Sequence, residues 1–430
     1  MKLMPEFKQT EVGMIPNDWV LKSFAELFEF SGGYSASREQ LSESGYCYLH
    51  YGDIHGSSRT CIDIDVEMLD IPRLNISLKK VSSRSLLKDG DVVFVDASED
   101  DAGTSKHVVI INERNTPFIS GLHTIVAKSK ADDLVRDYKK YCFQSATIRG
   151  QFLFYSVGTK VSGISKSNIA KLFLPVPSRI EQQNIAATLS DIDELLNSLN
   201  NLIVKKRDLK EATIQKLLTG QIRLPSFDGK WTIKKLGELG STYGGLTGKT
   251  KVDFGEGSAR YITFMNVMKN VVIDCNTFDR VAISSNETQN RVVKGDLFFN
   301  GSSETPEEVA MCSVLLEEVE GVYLNSFCFG FRLRERADAD GVFLAYYFRS
   351  REGRELMKSL AQGSTRYNLS KVALLNSSMR LPPLDEQIAI ATILSDMDSE
   401  LVSLETQSDK IAVLKQGMMQ ELLTGRMRLL

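Results

Sequence analysis

The side chains best suited to do chemistry in this chain are small, hydroxylic and cationic. Gly32-Gly33-Tyr34 and Gly244-Gly245-Leu246 contain glycine pairs, which let a backbone approach a partner closely. Gly158-Thr159-Lys160 and Gly363-Ser364-Thr365-Arg366-Tyr367 combine glycine, hydroxyl and cation, the mixture that contacts phosphate oxygens. Taken singly, each reads equally well as a turn without a ligand. Their recurrence in both halves of the chain favours a phosphate-bearing partner. Groups for making or breaking bonds do not assemble. There is no glycine-rich phosphate loop ending in lysine, and no Gly-x-Ser-x-Gly elbow. Leu381-Pro382-Pro383-Leu384 lacks the polar first residue of the amino-methyltransferase tetrad, and Glu99-Asp100-Asp101 reads as solvated loop charge. The six cysteines form no Cys-x-x-Cys pair, and the four histidines all lie in the first half, so no zinc spacing arises. The chain reads as a binding protein without metal or bound cofactor, not as an enzyme.

Positioning these loops falls to a duplicated framework. Glu181-Gln182-Gln183-Asn184-Ile185-Ala186-Ala187-Thr188-Leu189-Ser190-Asp191 returns as Glu386-Gln387-Ile388-Ala389-Ile390-Ala391-Thr392-Ile393-Leu394-Ser395-Asp396, an offset of 205 positions. Leu217-Leu218-Thr219-Gly220 and Arg223-Leu224 return at the same offset as Leu422-Leu423-Thr424-Gly425 and Arg428-Leu429. Upstream, Gly90-Asp91 matches Gly295-Asp296 and Gly158-Thr159 matches Gly363-Ser364, whereas Trp19 matches Trp231 at an offset of 212. Such duplication decides the architecture. It predicts two-fold pseudo-symmetry, which suits duplex DNA as a partner. Identity concentrates at the end of each copy, and the bodies share only a skeleton.

Prolines 175 and 177, and later 382 and 383, stand just before a helical pattern. Ile185, Leu189, Ile192, Leu196 and Leu199 follow the 4-3 spacing of a coiled-coil seam, as do Ile390, Leu394, Met397, Leu401 and Leu404. Each helix spans roughly 40 residues, about 60 Å, and ends at a Thr-Gly that suits a left-handed cap. Antiparallel pairing of the two would put a domain at either end of a rod. Apolar runs at 91–95, 107–111, 261–264 and 296–299 predict β-rich heads, each followed by a helical region ending near Phe154 and Leu360. The expected fold is α+β, with two pseudo-symmetric α/β domains separated by a pair of long antiparallel coiled-coil helices. The expected segments are 1–174, 175–225, 226–381 and 382–430.

The 430 residues exceed one compact core, and the net charge of −3 argues against coating nucleic acid by bulk electrostatics while leaving a local basic face open. No signal core or membrane span appears, so a soluble cytoplasmic protein with reduced thiols is expected.

Lys8-Gln9-Thr10-Glu11-Val12-Gly13-Met14-Ile15-Pro16-Asn17-Asp18-Trp19, the Pro-Val-Pro-x-x-x-Glu-Gln and Pro-Pro-Leu-Asp-Glu-Gln helix starts, and the Leu-Leu-Thr-Gly-x-x-Arg-Leu ends occur in order. Together they resemble the specificity subunits of type I restriction-modification systems over essentially the whole chain. Ser178-Arg179-Ile180 departs from the Pro-Leu common at that point. The resemblance implies that 1–174 and 226–381 are target-recognition domains, each reading half of a split, asymmetric site in double-stranded DNA. The helix pair would set the spacer. It also implies two modification (methyltransferase) subunits carrying S-adenosylmethionine and adenine methylation, and restriction/translocase subunits, with no membrane partner. Candidate DNA contacts are Gly32, Gly33, Tyr34, Lys106, His107, Thr159, Lys160, Gly244, Gly245, Lys249, Ser302, Ser303, Ser364, Arg366 and Tyr367. The competing expectation is a helical scaffold that assembles partners without reading DNA.

Overall fold

The computed structural model describes residues 6–55, 59–98, 106–158 and 162–430. Thr159, Lys160 and the Glu99-Asp100-Asp101 run lie outside them. Internal contacts divide the chain into two compact units, Met1–Leu199 with Gln407–Leu430, and Asn200–Thr406. The cuts fall inside the two long helices, a different partition from the four sequential segments.

In the first unit, β-branched and aromatic runs pair into a five-stranded sheet. Its order is Phe28–Gly32, Thr124–Ser129, Val92–Val95, His107–Ile111 and Cys61–Asp63, antiparallel except at the last pair. One face packs on Phe24, Phe143, Ile148 and Phe152, with Phe24 and Phe143 edge-on at 5.5 Å. Val20–Ser23 pairs with Phe173–Val176, which ties the start of the head to the strand preceding its helix.

The second unit repeats this plan. Gly240–Gly244, Cys328–Leu333, Leu297–Asn300 and Cys312–Val314 form the matching antiparallel sheet, and Thr232–Lys235 pairs with Ser378–Leu381. The apolar run at 261–264 divides: Ile262 ends a strand, while Thr263 caps the short helix Phe264–Lys269 by accepting from the Asn266 N–H. Helices Ala146–Tyr155 and Arg351–Leu360 close the two heads where expected.

The long helices run Arg179–Leu218 and Leu384–Leu422. Gly220 and Gly425 follow them at φ of 70° and 71°, the left-handed cap the sequence predicts. Within each unit the paired helical segments are antiparallel, because partner numbers fall as residue numbers rise. Asp193 meets Lys415 in the first unit. Lys206 meets Glu400 and Lys210 meets Asp398 in the second.

The seam is more divided than its spacing suggests. Ile185 and Leu189 are fully buried, but in the core of the first head together with Leu422 and Leu423. Ile390 and Leu394 do the same in the second head with Leu217 and Leu218. Ile192, Leu196, Leu199, Met397 and Leu404 are half-buried, and Leu401 is buried. Each helix start therefore packs into its own head's core together with the far end of the other helix.

The duplicated Glu-Gln and Arg residues are clasps. Gln182 is buried, accepts from the Val135 N–H and donates to the carbonyls of Asp133 and Pro177. Gln387 makes the same three bonds with Asp340, Asp338 and Pro382. Glu181, with no exposed surface, accepts two bonds from Arg428 and one from the Trp19 indole N–H at 3.0 Å. Glu386 is likewise buried and takes two bonds from Arg223, whose guanidinium lies 5.9 Å from the Trp231 ring. Each head is thus closed by the far end of the other head's helix. Tyr141 and Tyr346 add a second tie, donating to Asp193 at 2.8 Å and Asp398 at 2.6 Å.

Candidate nucleic-acid interface

In each head four segments converge on one surface. The first is the glycine pair. A Cβ at Gly33 would stand 1.7 Å from the Gly121 carbonyl oxygen, and one at Gly245 would stand 2.1 Å from that of Asn325. These glycines exist because two backbones touch there. The second segment is the tight loop so contacted, 121–123 or 325–327, which joins strands of two different sheets.

The third segment is the turn after the central strand. Asp96 N–H donates to the His123 carbonyl at 3.2 Å, and Gly301 N–H to that of Phe327 at 2.8 Å. The fourth is a short strand bonded to this turn, with Ile164 N–H donating to the Asp96 carbonyl and Leu369 N–H to that of Gly301. Ala97-Ser98 pairs there with Ser162-Gly163, and Ser302-Ser303 with Tyr367-Asn368.

Two lysines complete the surface. Lys166 and Lys371 are exposed, and their ammonium groups lie 3.5 and 3.7 Å from where a Cβ would stand on Gly32 and Gly244. Neither was singled out by motif, although Ser165-Lys166 and Ser370-Lys371 stand at the same 205 offset as the helices. Each serine caps the helical turn that carries its lysine, accepting from the Asn168 and Ala373 N–H groups.

The structure gathers Gly244, Gly245, Ser302 and Tyr367 into this surface in the second head, whereas Ser303 is buried beneath it with its hydroxyl donating to Glu308 at 3.2 Å. Ser364 and Arg366 are exposed beside Tyr367 in the adjoining loop, whose Gly363 has φ of 122°. Gly32, Gly33 and Tyr34 reach the equivalent place in the first head. The Tyr34 ring is half-buried and packs on the cluster of Tyr48 and Ile119, so it works as a strut.

Three candidates are occupied elsewhere. His107 is buried between Phe94 and Phe143, at ring distances of 5.6 and 5.1 Å, because it takes an inward position of its strand. Lys106 donates to the His55 carbonyl. Lys249 has only 4% of its side chain exposed and is held by the Ala282 carbonyl and Glu287. That ammonium's hydrogen bond is the main cause holding the Glu287 carboxyl down at about 2. His107 and Lys249 are thus enclosed, while Lys106 is half-buried.

The description "Type I restriction modification DNA specificity domain" matches residues 16–206 and again 228–416, most of the chain. The chain belongs to the type I restriction-modification DNA specificity family. Each copy of the specificity domain carries one glycine pair, one lysine and one clasp glutamate. Among relatives, the putative type I restriction enzyme MjaX specificity subunit of Methanocaldococcus jannaschii is 22% identical over 445 residues, covering 98% of this chain and 96% of that protein. The MjaVIII specificity subunit of the same organism is 25% identical over 308 residues, 67% of this chain and 70% of that one. The fold is similar to that of the S subunit from M. genitalium, with a TM-score of 0.53 at 17% identity over 98% of this chain and 99% of that one. It is also similar to the HsdS subunit from Thermoanaerobacter tengcongensis, with a TM-score of 0.53 at 16% identity over 96% and 98%. No helix of the described residues is long and apolar enough to cross a membrane, and no acidic, histidine or cysteine cluster among them could hold a metal.

Proposed function

We propose that this chain gives a type I restriction-modification complex its DNA sequence, each head reading one half of a split asymmetric site. The observation that carries this is the recurrence of one four-segment surface in both heads with unlike side chains on it. Glycine pairs and a lysine recur, which suits phosphate contacts that carry no sequence information. Ala97, Ser162 and Gly163 in one head correspond to Ser302, Tyr367 and Asn368 in the other, which suits two different base sequences.

The chain's part is recognition. Methyl transfer from S-adenosylmethionine to adenine belongs to two modification subunits, and cleavage and translocation to restriction subunits. The long helices set the distance between half-sites, and exposed apolar residues on them such as Leu195, Leu209 and Val413 suit docking of those subunits. A net charge of −3 fits a protein whose partners supply part of the grip on DNA. Localisation in the cytoplasm, with the DNA, follows from this role.

The test is to assemble the full chain with its modification subunits and map methylated adenines in random-sequence DNA. A split motif with a fixed spacer and two unlike halves is expected. Methylation without sequence preference, or assembly without DNA binding, would overturn the proposal in favour of a scaffold.

A further inference from the structure

We infer that His123 and Phe327 are base-reading residues, one polar and one apolar, at the same position in the two heads. The inference rests on the DNA-reading function proposed above and names side chains that would carry it.

The equivalence is geometric. Both residues end the tight loop against which the second glycine of the pair is pressed. Both accept from the residue that follows the central strand, Asp96 or Gly301. Both directly precede the strand next to that central strand, Thr124–Ser129 or Cys328–Leu333. Both are exposed, with 51% of the His123 side chain and 60% of Phe327 open to solvent. A single exposed phenylalanine is unremarkable in itself. This one stands where four recurring segments meet and where the other head holds an anchored imidazole.

The chemistry at the two positions differs in a coordinated way. His123 has φ of 60°, left-handed backbone that Asn, Asp and His tolerate better than other side chains. Its Nδ1 lies 3.4 Å from Asp96 Oδ1, too long for a strong hydrogen bond. That oxygen is buried and has no hydrogen-bond partner among the described residues, and burial pushes the carboxyl up. In the neutral ring, a carboxyl oxygen at this place favours the proton on Nδ1, which leaves Nε2 an acceptor. An acceptor suits the exocyclic amine of adenine or cytosine in the major groove. In the second head Gly301 replaces the aspartate and Phe327 the histidine. With no carboxylate to orient a polar ring, an apolar ring suits the thymine methyl group.

The experiment uses the full chain assembled with its modification subunits, and a panel of duplexes in which each base of both half-sites is replaced in turn. Phe327→Ala is expected to lose about tenfold discrimination at one position of one half-site, with the other half unchanged. His123→Asn, which keeps a residue tolerant of that backbone, is expected to do the same in the other half. Asp96→Asn, which alters a positioning residue, is expected to weaken the same position as His123→Asn while binding to nonspecific DNA stays unchanged. Unaltered discrimination, or a loss spread equally over all duplexes, would overturn the inference while the wild-type motif still supports the proposed function. A wild-type complex that discriminates nowhere would overturn both.

Discussion

Lys166 and Lys371 occupy equivalent places beside glycine, as contacts to phosphates, which carry no sequence information, would. Replacing either by alanine is expected to weaken binding about equally on all duplexes and to reduce the salt dependence by about one counterion. Titration at several salt concentrations measures this. Arg366→Glu is expected to weaken binding further without disturbing assembly, since no ion pair among the described residues engages its side chain. Arg428 has a structural duty instead. Arg428→Ala leaves the fully buried Glu181 without its cation and is expected to cost about 3–5 kcal/mol. Thermal unfolding measures this, and a compensating Glu181→Gln is expected to recover part of the loss. The sequence displays Glu181 and Arg428 as separate motif letters. It does not display their partnership, because 247 positions separate them and only the folded helix pair brings them together. His123 and Phe327 were hidden for another reason. Their side chains are unlike, and the two copies are out of step there by one residue relative to the helices.

The elements were more legible where a local rule governs them. Thr-Gly at both helix ends, the prolines before the helix starts and the strand runs of the heads each follow backbone chemistry that needs no distant partner. The seam is less legible, because Ile185 and Ile390 have the right period for a coiled coil whether they face a helix or a head. The glycine pairs suggest ligand loops, and the structure adds a packing reason for the second member of each. Gly33→Ala or Gly245→Ala must displace a carbonyl and is expected to destabilise its head by at least about 2 kcal/mol. Gly32→Ala, with its nearest neighbour 3.5 Å away, is expected to leave the melting temperature nearly unchanged. For the helices, inserting four residues at Asn200 is expected to change the spacer of the methylated motif or abolish methylation. An unchanged spacer, read from sequencing of methylated DNA, would sink the ruler reading.

At the scale of the whole molecule, the first unit is discontinuous in sequence and the second is continuous. Removing Gln407–Leu430 takes Leu422, Leu423 and Arg428 from the first head's core and clasp. Amide exchange is expected to accelerate throughout Phe28–Gly32 and Val92–Val95, near the other terminus, and to change little in Leu297–Asn300. This also bears on how the chain is made. Synthesis proceeds from the N-terminus, and domains ordinarily fold in the order they emerge. Here Asn200–Thr406 has all its parts as soon as the ribosome has passed them, whereas the earlier head waits for Gln407–Leu430, translated after the whole second unit. The half encoded first is therefore finished last, and a nascent chain released early would carry one closed reading head and one open one.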